Sequence, residues 1–78
     1  MSLREKYNGL IAEAGSLNQQ IVEIFNGLGD EPASLEVKDR VKNLSKKREE
    51  KEVAAQELLD QVEQQEGAVR REKEYKTP

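Results

Sequence analysis

From Leu3 to Leu28 the apolar residues recur at alternating spacings of four and three: Leu3, Tyr7, Leu10, Ala14, Leu17, Ile21, Ile24 and Leu28. No charged residue interrupts this row, which has the spacing of a coiled-coil seam on an amphipathic α-helix. Ser2 stands just before it and Glu5 three residues later, the arrangement of a capping box. Gly9 and Gly15 lie off the row, where each costs roughly 1 kcal/mol against Ala. Ile11, Val22 and Phe25 are also off it. Ile11 and Phe25 adjoin Leu10 and Ile24 and so widen the apolar stripe along one flank.

The periodicity breaks at Asn26-Gly27-Leu28-Gly29-Asp30-Glu31-Pro32. Gly29 suits a left-handed C-terminal cap. Asp30 or Ser34 can cap a following helix, and Pro32 is tolerated in a first helical turn. So short a connection makes the two helices antiparallel neighbours. The expected fold is all-α: a long antiparallel two-helix hairpin over residues 1–66, with helices at about 3–28 and 34–66 and a turn at about 29–33. The second helix is expected to run from about Leu35 to as far as about Arg71, beyond which the chain frays. Residues 67–78 form a charged tail that frays or is covered by another chain.

The second helix has a seam of its own at Val37, Val41, Leu44, Arg48, Lys51, Ala55, Leu58 and Val62. Folding it back gives a single register in which paired positions sum to 65. Leu28 then meets Val37, Ile24 meets Val41, Ile21 meets Leu44, Leu10 meets Ala55, Tyr7 meets Leu58 and Leu3 meets Val62. Arg48 and Lys51 fall opposite Leu17 and Ala14. Their long stems can cover the small Ala14-Gly15-Ser16 patch while the charges reach water. Alternatively they act as a polar pin of register or face a partner.

Composition agrees with a hairpin better than with a globular core: 35% of the 78 residues are hydrophobic, 4% aromatic and 37% charged. There is no Cys and no His, so the chain has no disulfide or thiolate metal site and lacks the commonest general base. The acidic groups Glu49, Glu50 and Glu52, or Glu57 and Asp60, are not gathered by any cation-binding loop pattern. They read as solvated-face residues spaced to pair with Lys and Arg. No catalytic residue, metal site or cofactor is expected.

The net charge of −3 gives no general attraction to nucleic acid or anionic lipid. The basic residues Lys38, Arg40, Lys42, Lys46, Lys47, Arg48 and Lys51 are interleaved with Asp39, Glu49, Glu50 and Glu52, and no aromatic lies among them for base stacking. No apolar run approaches the roughly 18 residues of a membrane span, and Met1 to Lys6 lack a signal-peptide core. The expectation is a cytoplasmic protein with protein partners, no membrane and no nucleic acid. Tyr7 belongs to the seam; Tyr75 is either disordered or a partner's anchor.

Two helices cannot enclose every apolar side chain here. Ile11, Val22, Phe25, Leu35, Val53 and Leu59 remain, which points to self-association, as in a four-helix bundle, or to packing on a larger partner. Ile11, Val22, Phe25 and Leu59 are the expected partner contact.

The opening Leu3-Arg4-Glu5-Lys6-Tyr7-Asn8-Gly9-Leu10-Ile11-Ala12-Glu13-Ala14 resembles the N-terminal scaffolding (delta) segment of tailed-phage major capsid proteins of the Hong Kong 97 type. Such segments are patterned as Leu-Arg-Glu-Lys followed by Leu-x-x-Glu-Ala. An acidic break and a second charged helix then follow, similar to Gly29-Asp30-Glu31-Pro32 and Leu35 to Val62. The resemblance implies a segment that guides capsid subunits into a procapsid in a host cytoplasm and is commonly removed by proteolysis. The family's shell-forming domain has no counterpart in these residues. The helical arm of seryl-tRNA synthetases is a second resemblance; it implies tRNA binding, against which the net charge and the apolar flank weigh. A third reading is a small adaptor or secretion chaperone that shields a partner's helix.

Overall fold

The computed structural model describes residues 1–76, which form two helices and no strand. The first, α1, spans Leu3–Leu28. Ser2 precedes it in extended backbone, and its Oγ accepts a hydrogen bond from the Glu5 N–H at 3.1 Å. One of the four N–H groups that a helix start leaves unpaired is thereby satisfied.

The far end of α1 is closed by Gly29, whose N–H donates to the Phe25 carbonyl at 3.2 Å. Its φ of 59° is positive, as expected, but its ψ of −121° is not that of a left-handed helical cap. With the Glu31 N–H donating to the Leu28 carbonyl at 3.1 Å, the angles define a type II′ turn with Gly29 at its first central position. This turn reverses the chain at once, and it requires a backbone that a Cβ would obstruct.

Ser34, and not Asp30, caps the second helix: its Oγ accepts from the Val37 N–H at 3.3 Å and its carbonyl from the Lys38 N–H at 2.9 Å. Pro32 accordingly lies in the connection and not in the first helical turn. A proline disfavours helical backbone in the residue before it, so a helix that began at Asp30 would run into Pro32 at once.

The second helix, α2, spans Leu35–Lys76. It continues ten residues beyond the expected boundary at 66, so residues 67–76 are helical; positions 77 and 78 lie outside the described residues. Gly67 does not end the helix. A glycine costs roughly 1 kcal/mol once, whereas extending an existing helix carries no new nucleation penalty. Ala68, Arg70, Arg71, Glu72, Lys73 and Glu74 are good helix formers. Glu72 and Lys76 pair one turn apart at 2.8 Å, and Lys73 and Lys76 complement the negative helix end.

The molecule is a rod 68 Å long and 22 by 16 Å across. That length is set by α2, whose 42 residues rise about 63 Å. Its core is the line where the helices touch. Ala14, Ile21, Ala55 and Val62 are buried, and Leu3, Tyr7, Leu10, Leu17, Ile24, Leu28, Val37, Val41, Leu44 and Leu58 are half-buried. The buried four are small or β-branched. Their atoms sit close to the backbone, where the facing helix covers them, while longer side chains keep one side open.

Bonds between the helices mark the register. Arg48 Nη1 donates to Asn18 Oδ1 at 2.8 Å, and Lys51 Nζ meets Glu13 Oε2 at 2.8 Å. These pairs sum to 66 and 64, on either side of 65.

Candidate interaction surface

The seam is open on both flanks. One carries a shallow groove lined by Glu13, Ser16, Leu17, Gln20, Lys47, Glu50 and Lys51. The Glu13–Lys51 ion pair crosses it. The opposite flank carries a groove lined by Ile11, Ala14, Gly15, Asn18, Arg48 and Glu52. Both are open to solvent along their length, so neither encloses a small molecule as an active site would.

On the second flank the sequence reading can be extended. Asn8, Ile11, Gly15, Asn18, Val22 and Phe25 follow one another at spacings of three and four, and none is charged. They form a second row on α1, rotated from the seam toward solvent. Ile11, Val22 and Phe25 are 44%, 47% and 51% exposed. The remaining expected contact, Leu59, is half-buried beside the seam and offers less surface. Gly15 and Asn18 were missed as members of this row. The heptad spacing of the seam, counted from Ile11, carries the signal for both.

Arg48 and Lys51 occupy the seam without leaving their charges idle. Arg48 is held between Asn18 on α1 and Glu52 one turn on, the latter at 3.6 Å, and its side chain is 28% exposed. Lys51 reaches Glu13. Both heads therefore bind across the helix pair. Such half-exposed pairs contribute little to stability, about 0–1 kcal/mol each, but they disfavour slipped alignments that would leave Arg48 against apolar side chains.

Among the described residues no group of three or more His, Cys, Asp or Glu could hold a metal ion. No helix among them is long and apolar enough to cross a membrane. The class defined by this architecture is the antiparallel two-helix hairpin, coiled-coil-like in its packing. Comparison with protein-family models, curated proteins and solved structures gives no match.

Proposed function

We propose that this hairpin is a non-enzymatic helical assembly module that associates with further copies of itself, in the manner of a capsid scaffolding segment. The observation that carries the reading is the uncharged row from Asn8 to Phe25, with Ile11, Val22 and Phe25 about half exposed on one side of α1. The likeness of residues 3–14 to the delta segment supports the scaffolding role.

The magnitudes fit reversible contact. Burying the remaining half of each apolar side chain yields roughly 1 kcal/mol, or about 6 kcal/mol for three residues on each of two copies. Association costs at least about 4 kcal/mol in lost freedom. One such contact is weak, and many together hold subunits in place while stronger contacts form.

Sedimentation equilibrium over a wide concentration range tests this. Species larger than the monomer that dissociate on dilution, and that Phe25→Ser shifts toward monomer, are the expected result. A monomer at every concentration would remove the basis for self-association and turn attention to RNA binding and to partner capture. The parent reading frame is a second test: a shell domain beyond Pro78 is expected, and an aminoacylation domain there would sink the capsid reading.

A further inference from the structure

The uncharged row on α1 is the hairpin seam displaced by one residue. Tyr7, Leu10, Ala14, Leu17, Ile21 and Ile24 are followed by Asn8, Ile11, Gly15, Asn18, Val22 and Phe25. One residue is about 100° of helix, so a helix packed on this row stands about a quarter turn from α2. The row is symmetric about its centre: Asn8 and Phe25, Ile11 and Val22, and Gly15 and Asn18 each sum to 33. A second copy running antiparallel would match it about a two-fold axis level with the step from Ser16 to Leu17.

Across the hairpin, where paired positions sum to 65, that level on α2 is the step from Arg48 to Glu49. There the charge of α2 changes sign. Residues 35–48 carry six basic side chains against Glu36 and Asp39, a net +4. Residues 49–62 carry five acidic side chains against Lys51, a net −4. The apolar row of one helix and the charge division of the other therefore share one centre.

We propose that two copies pair antiparallel through this row, α1 on α1, in a four-helix bundle. The groove of Ile11, Ala14, Gly15, Asn18, Arg48 and Glu52 then faces its own counterpart. The pairing presupposes the self-association of the proposed function and adds direction and register to it. Ile11 packs on the partner's Val22, and the Phe25 ring lies over the partner's Asn8. Gly15 has open space where a Cβ would stand, so the partner's Asn18 can approach that backbone closely.

The same axis brings α2 beside the partner's α2, with level positions summing to 97. Glu52 lines the groove, and Lys38, Ser45 and Leu59 stand on its line at intervals of seven. Ser45 then meets the partner's Glu52, and the stem of Lys38 covers the partner's Leu59. Arg48 has Nη1 on Asn18 and Nε on Glu52, which leaves Nη2 for the partner's Glu49. Basic half lies on acidic half twice over, whereas parallel alignment would set like on like. Exposed ion pairs add little to affinity; charge here sets direction, and the uncharged row sets strength. Residues 63–76 of each copy project from opposite ends.

The chain contains no cysteine, so single spin labels can report this geometry. Gln19→Cys and Glu5→Cys are made separately, both at exposed positions on α1. About the proposed axis the two copies of position 19 are offset by about 8 Å along the helix, and those of position 5 by about 35 Å. Dipolar spectroscopy on the associated protein should give separations below about 20 Å for the first and about 35–40 Å for the second. Equal separations would mean parallel pairing, and about 25 or 45 Å at position 5 a slip of one heptad. Either result overturns this pairing and leaves self-association standing. Absence of dipolar coupling at every concentration would overturn both.

Discussion

At the scale of single residues, three positions carry more than their size suggests. Gly29 holds φ 59° and ψ −121° in the turn. Gly29→Ala should cost about 1–3 kcal/mol, since a side chain strains that backbone; a lowered thermal midpoint with an unchanged folded spectrum is the check. Ala55 is 1% exposed, covered by the facing helix. Ala55→Leu should push the helices apart at about 1–3 kcal/mol, measured by urea denaturation. Gly67 is the reverse case. A Cβ there would meet only the Arg71 Nη1 at 3.8 Å, an ordinary contact. Gly67→Ala should therefore stabilise the distal helix by about 0.5–1 kcal/mol, seen as added helicity on mild heating.

At the scale of elements, α1 and α2 are held in register by two kinds of information. The apolar rows say which faces meet. The pairs Arg48–Asn18 and Lys51–Glu13 say where along the helices they meet, near the middle, where a slip of one heptad would still match apolar to apolar. A double-mutant cycle with Arg48→Ala and Asn18→Ala should show a coupling of about 0.5–1 kcal/mol, and independence of the two sites would refute the pin. The rows and the hairpin were legible in the sequence because the period repeats eight times on each helix. The exact cap residue and the persistence of α2 to Lys76 were not, since they turn on small local differences between Asp30 and Ser34, or on one glycine against many helix formers.

At the scale of the whole molecule, the rod offers one lateral surface, the uncharged row on α1. Self-association through a single such surface pairs the same patch on two copies about a two-fold axis. Sedimentation should accordingly show mass that rises with concentration, and Phe25→Ser should hold it nearer the monomer. Because the row itself carries no charge, raising salt should change this association little.

The sequence by itself determined the two helices, their antiparallel pairing and the seam residues, because periodicity, caps and a short glycine-rich break are local signals that act before any tertiary contact. It also marked Ile11, Val22 and Phe25 as residues without a place in the seam. Only the tertiary structure decided that Gly29 makes a type II′ turn, that Arg48 and Lys51 bind across the pair, and that Leu59 is half enclosed while Val69 and Tyr75 stand uncovered. Those outcomes depend on where one helix ends beside the other. A length mismatch between two partners is a property of the pair, and no stretch of the chain carries it alone.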